Sequence, residues 1–296
     1  MNLYPHRVPE GSAGDDFNVE FCRRLLPDFE RMHPDQWLLG SGAIVDRRLF
    51  TLVGPKVVLG SGYNPEQRVP RFGPDVDFRA VRGLLSAGAL GLEPRDAVCD
   101  PGFVVADWLD VQESPSGAIG LVPHVRSEMN TGIAAAAEAA GLEVVSPRLP
   151  FLEFLRRISR CARIYCEFPE AAVFADALRV PWARVVVSER HVGVGRNAEF
   201  HWRDVFSVLG VDTRAVNNSA VANFGRAGVT RAGGPRSDQL LAENRLAAEL
   251  YQQSADDRFR LSPSGRLHER LGEFHARIAR LAASEPVAAG VHMQPV

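Results

Sequence analysis

Four kinds of side chain in this sequence stand where chemistry on a small anion would need them. His124 closes the apolar run Leu121-Val122-Pro123, so its imidazole is placed at a strand end, where it can donate to a phosphate or act as a general acid near neutral pH. Arg82, in Val81-Arg82-Gly83, occupies an equivalent strand end. Its guanidinium can grip a carboxylate or phosphate with two hydrogen bonds, and Gly83 would let a ligand approach the backbone. Ser61 sits in a Gly60-Ser61-Gly62 turn beyond another apolar run. Asp15 and Asp16 follow Gly14 at a helix start, where they can take a proton from a hydroxyl. Helix capping explains the same two acids more economically, as surface pairing does for Arg82 and end-capping for His124.

Other motifs fail on context. Gly193-Val194-Gly195-Arg196-Asn197-Ala198 has dinucleotide-fingerprint spacing, but it starts six residues after the preceding expected strand and no helix is expected directly after it. Cys161 and Cys166 have no histidines at ligand spacing, so neither a metal site nor a cofactor is expected. Phosphate-binding loop, nucleophile-elbow and zinc-protease motifs are absent.

The elements that would carry these residues alternate between strand and helix. A helix from Asp15 to about Pro27 has Phe17, Phe21, Leu25 and Leu26 on one stripe. The apolar runs 37–39 and 57–59 suit strands buried on both faces, and each ends in Gly-Ser-Gly. Strands are also expected at 78–83, 97–101, 118–122, 142–145, 162–166 and 182–187, and helices at 84–90, 131–140, 151–160, 203–209 and 237–253. Such alternation implies an α/β fold of two Rossmann-like lobes with C-terminal helices. The boundaries expected are 1–115 and 116–236 for the lobes, 237–285 for the helices and 286–296 for a tail. Residues 217–236 read as a loop or lid, and 112–117 as the linker. Ligands of open parallel sheets bind beyond the carboxyl ends of the strands, where both Gly-Ser-Gly turns, Arg82 and His124 are expected, and two such lobes leave a cleft between them.

Composition sets the class. With 296 residues, 46% hydrophobic and 24% charged, the chain suits two soluble domains. A net charge of -2 offers no general attraction to nucleic acid or anionic lipid. Four cysteines without a paired motif, no membrane-length apolar run and a polar start containing Pro5 and Pro9 suggest a cytoplasmic protein. A stripe of Leu267, Leu271, Phe274, Ile278 and Leu281 is expected to serve core packing or a homo-oligomer contact.

Several segments in order resemble the polysaccharide pyruvyl transferase family. They include Gly14-Asp15-Asp16-Phe17-Asn18, Leu59-Gly60-Ser61-Gly62-Tyr63, Val81-Arg82-Gly83-Leu84-Leu85-Ser86, Asp100-Pro101 and Val122-Pro123-His124. Ala175-Asp176-Ala177-Leu178-Arg179-Val180-Pro181-Trp182 and Trp202-Arg203-Asp204 complete the series. The resemblance implies a GT-B-like fold and an enzyme of exopolysaccharide biosynthesis. Such an enzyme moves a pyruvyl group from phosphoenolpyruvate to two hydroxyls of a sugar or glycoside, forming a ketal. It further implies that Arg82 and His124, with Gly83 and Ser61, hold the donor, and that Asp15 and Asp16 lie near the acceptor.

One departure stands out, because Glu170-Ala171 replaces the family's His-Gly. A carboxylate about 4 Å from an anionic donor costs roughly 4 kcal/mol at a dielectric of about 20. A protonated Glu170 avoids that cost and can serve as the catalytic acid. The alternatives are a diverged transferase with another small anionic donor, and a degenerate carbohydrate-binding or partner protein.

Overall fold

A computed structural model describes residues 1–4, 11–32, 34–66, 72–109, 117–129, 132–185, 196–214 and 259–283. The first half contains β1 (Asn2–Leu3), α1 (Ala13–Leu25), α2 (Phe29–Met32), β2 (Trp37–Leu39), β3 (Lys56–Leu59), β4 (Val76–Ala80) and α3 (Leu84–Leu90). The second contains β5 (Ile119–Val122), α4 (Val125–Glu128), α5 (Gly132–Ala139), β6 (Leu142–Val144), α6 (Phe151–Arg160), β7 (Arg163–Cys166), α7 (Pro169–Ala177) and β8 (Trp182–Arg184). After these come α8 (Arg196–Ser207) and α9 (Ser264–Ala283).

The fold is α/β, with two parallel four-stranded sheets ordered β1-β2-β3-β4 and β6-β5-β7-β8. Two parallel sheets with their helices are the α/β arrangement expected. In the second sheet the chain steps outward from β5 to β6, then returns past β5 to β7. The direction of winding therefore reverses between the neighbours β5 and β7, and a crevice opens at their carboxyl ends. All four residues of β3 are buried, as expected of a continuous apolar run covered on both faces.

One apolar core runs through both halves. Phe17 of α1 stacks on Trp108 at 5.5 Å and meets Phe174 of α7 at 5.6 Å and Phe151 of α6 at 5.8 Å. Helix α8 brings Phe206 to Trp182 of β8 at 4.4 Å and to Phe103 of the first half at 5.9 Å. The chain then crosses back. Arg260 bridges Trp182 at the second sheet, and α9 buries Leu267, Phe274, Ile278 and Leu281 against the first half. Phe274 meets Phe21 at 6.1 Å, and Arg277 donates to the carbonyls of Arg79 and Arg95, each at 3.2 Å. The apolar stripe thus closes the chain's own core rather than presenting a face to another subunit.

Several expectations are corrected. The strand expected at 97–101 is a single bridge between Val81 and Ala97, because Pro101 opens a 3-10 helix, Pro101–Asp107, capped by Asp100. The strand expected at 78–83 lies earlier, at β4. Helix α8 begins at Arg196, well before the expected 203, so a helix does follow the glycine pair. Gly193 and Gly195 themselves, the expected loop 217–236, the helix 237–253, the tail and the 112–116 part of the linker lie outside the described residues. So do all three expected boundaries, at 115/116, 236/237 and 285/286. All four cysteines are buried and none forms a disulfide, and burial pushes the Cys161 thiol up to about 12. No described helix is long and apolar enough to cross a membrane.

The helical signature Ala175 to Trp182 has a structural explanation. Asp176 is fully buried, and its Oδ2 accepts from Trp182 Nε1 and from the Ser262 backbone N–H, both at 2.9 Å. Its Oδ1 accepts from Arg179 at 3.4 Å and from the Ser262 hydroxyl. One carboxylate therefore ties the end of α7 to β8 and to the returning chain.

Candidate functional site

A cavity of about 330 Å³ opens at the seam between the halves. Strand ends supply its walls: the turn after β2 gives Ser41 and Gly42, the segment after β4 gives Arg82, β5 leads into His124, and β7 leads into Phe168 and Glu170. The first turns of α1, α7 and α8 also border it, through Ser12 and Asp15, Pro169 and Glu170, and Asn197 and Ala198. The positive dipole ends of these helices make a favourable surround for an anion.

Asp15, Arg82, His124 and Glu170, which come from four separate stretches of sequence, all line this cavity. Asp16 is exposed and is not among the lining residues. The helix is capped by Ser12, whose Oγ accepts from the Asp15 N–H at 3.3 Å, so Asp15 lies in the first turn instead of serving as the cap.

Two further expectations are corrected. Ser61 is fully buried away from the cavity, where its hydroxyl donates to the Gly40 carbonyl. Gly83 does not face a ligand either. A Cβ there would lie 1.9 Å from the Asp204 carbonyl, so its missing side chain admits the backbone of α8.

Arg82 is 1% exposed and its Nε donates to Asp204 Oδ2 at 2.9 Å. It lies across Gly62, where a Cβ would come within 2.1 Å of Nε. Asp204 has a second task. Its Oδ1 accepts the Ser86 N–H at 2.7 Å and its Oδ2 the Ser86 hydroxyl at 2.5 Å, capping α3 from outside because the N-cap Gly83 has no side chain to do so. Nη2 of Arg82 lies 2.9 Å from His201 Nδ1. Since arginine only donates, Nδ1 accepts and the proton of a neutral ring is on Nε2. Burial first, and then the Arg82 charge, bring the His201 pKa down to about 3, so the ring is neutral at physiological pH.

His124 is the N-cap of α4, with Nδ1 accepting the Arg126 N–H at 3.3 Å. Its backbone N–H donates to Glu167 Oε2 at 2.7 Å, while Glu167 Oε1 accepts from Ser127 Oγ at 2.9 Å. The ring stands edge-on to Phe168, 6.0 Å away.

Glu170 is partly exposed to the cavity but closely surrounded by protein. Burial raises its pKa, the Arg82 charge opposes the rise, and Asp100 and Asp15 reinforce it. Behind the wall, buried Asp100 accepts from Ser41 Oγ at 2.9 Å and from Gly102 N–H at 2.8 Å, and desolvation pushes its pKa up as well.

Sequence reasoning missed His201, Asp204 and the buried Glu167. The only signal for Asp204 was its place in Trp202-Arg203-Asp204. The spacing of about 120 residues from Arg82 gave no reason to pair them.

The chain is 32% identical over 219 residues to the succinoglycan biosynthesis protein ExoV of Rhizobium meliloti (strain 1021). It belongs to the polysaccharide pyruvyl transferase family. The match covers 72% of this chain but 66% of ExoV, just under two thirds of that protein's length. No family model matches the chain. Among solved structures, the dodecameric iron-containing heptosyltransferase TibC, in complex with ADP-D-beta-D-heptose, superposes with a TM-score of 0.30 at 13% identity, over 92% of this chain and 78% of TibC. That superposition is too loose to bear on the chemistry. Family membership gives the departure at Glu170 its interest, because this carboxyl lines the cavity.

Proposed function

We propose that the chain is a cytoplasmic transferase of exopolysaccharide biosynthesis that moves the pyruvyl group of phosphoenolpyruvate onto two hydroxyls of a sugar or glycoside. The observation that carries the reading is the meeting of Arg82, His124, Glu170 and Asp15 in one cavity bordered by three helix first turns. In this reading the donor's carboxylate and phosphate lie against Arg82, His124 and the helix N-termini. Protonated Glu170 gives its proton to the methylene carbon as a sugar hydroxyl oxygen bonds to the adjacent carbon, and Asp15 takes that hydroxyl's proton. A second hydroxyl oxygen then bonds to the same carbon as the C–O bond to phosphate breaks. Its proton leaves with the phosphate, and the Asp15 proton returns through solvent to Glu170. The products are a ketal and inorganic phosphate. The raised pKa of Glu170 supports this role, since an ionised carboxylate would repel the donor and have no proton to give.

Incubation with phosphoenolpyruvate and a panel of glycosides, followed by phosphate release and the ketal methyl signal in NMR, tests the reading. Glu170→Gln is expected to lower turnover by about 100-fold. Wild-type protein that neither binds phosphoenolpyruvate nor releases phosphate removes that donor. One observation favours a second reading, a diverged transferase with a less highly charged donor: Arg82 is already paired with Asp204, and Asp15 and Glu66 also line the cavity. Glu170→His separates the two, because a gain of pyruvylation belongs to the first reading alone. The third alternative, a degenerate partner protein docked through its C-terminal helices, loses support from the inward packing of α9. The division into lobes at about residue 115 and C-terminal helices from about 237 remains part of the proposal.

A further inference from the structure

We infer that His201 is a ligand-binding residue of this cavity, presenting an uncharged Nε2–H to an anionic oxygen of the donor. The inference rests on the reading of the cavity as a site for a small anion. His201 lines the cavity, and Arg82 holds its ring through Nδ1 at 2.9 Å. That bond fixes both the tautomer and the ring plane, because a donor on one nitrogen leaves the hydrogen on the other. Nε2 makes no hydrogen bond among the described residues. Arg82 is itself oriented by Asp204, so Asp204, Arg82 and His201 form a chain of hydrogen bonds that ends at the cavity.

The electrostatic logic explains why a neutral donor is used. A second cation beside buried Arg82 would be repelled, whereas a neutral N–H held by that cation is polarised by it and needs no counter-ion. The chain has thus lost the family histidine at Glu170 but holds a different imidazole in the same cavity, supplied by α8.

Two substitutions divide the functions of the ring. In His201→Asn the amide oxygen can still accept from Arg82, in place of Nδ1, but nothing reaches where Nε2–H stood. In His201→Gln the longer amide can restore an N–H near the Nε2 position while losing the Arg82 contact. The full-length protein is titrated by calorimetry with phosphoenolpyruvate and, separately, with inorganic phosphate. Expected are a dissociation constant weakened about tenfold or more in His201→Asn, and a smaller loss in His201→Gln. In ¹⁵N-histidine NMR, wild type is expected to hold the Nε2–H tautomer without ligand and to shift at Nε2 when either anion binds.

Undiminished affinity of His201→Asn for an anion that wild type binds overturns the inference and leaves the proposed donor standing. Binding of phosphate but not phosphoenolpyruvate, with the Asn loss intact, supports His201 and removes that donor instead. An Nδ1–H tautomer in the free protein, or binding of neither anion by wild type, also overturns it.

Discussion

At the scale of single residues, what matters most is how a carboxyl can replace an imidazole in a site for anions. Burial raises the pKa of Glu170, so the folded chain keeps a proton that the unfolded chain releases above about 4.5. The associated stability is complete below that value and is lost as pH rises through the folded pKa. Glu170→Gln carries no such penalty. It is expected to melt at nearly the same temperature as wild type at about pH 4 and at a higher one at about pH 8, as read by circular dichroism. Equal differences at both pH values would show that folding does not raise the pKa of Glu170. The exchange of His-Gly for Glu170-Ala171 was visible in the sequence. Its protonation state was not, because that depends on Arg82, Asp100 and Asp15, which arrive from distant parts of the chain.

At the scale of elements, α8 holds the site together. It places His201 on one turn and Asp204 on the next, and Asp204 both pairs with Arg82 and caps α3. Asp204→Ala leaves a buried guanidinium without its counter-charge and the Ser86 donors without an acceptor, and is expected to cost about 3–5 kcal/mol in denaturant unfolding. Gly83→Ala pushes a methyl group into the α8 backbone, with an expected cost of about 1–3 kcal/mol. If Gly83 instead only served to admit a ligand, the alanine would weaken ligand binding and leave unfolding unchanged. Helices α3 and α6 were legible to the residue from apolar spacing and terminators. Strand 97–101 was not, since its apolar run resembles a strand until Pro101 and Asp100 turn it into a 3-10 helix.

At the scale of the whole molecule, the chain passes from the first sheet to the second and returns in α9 to cover the first. Phe274 is fully buried at that closure and meets Phe21 of α1, whose first turn borders the cavity. Phe274→Ala is expected to lose about 3–5 kcal/mol of stability in thermal or denaturant unfolding. A negligible loss would mean that α9 is an appendage and that its stripe is available to another subunit.

The sequence alone determined the alternation of strands and helices, the parallel sheets and the family, because apolar periodicity, terminators and ordered motifs are properties of neighbours along the chain. It also brought forward Arg82, His124 and Asp15, by the local rule that ligands meet strand ends and helix starts, and Glu170, by its departure from the family motif. Only the tertiary structure decided that Ser61 and Gly83 serve packing, that Asp204 neutralises Arg82, and that His201 reaches the cavity. Such pairings depend on which segments the two sheets and the returning helix bring into contact, and residues about 120 positions apart carry no local sign of it.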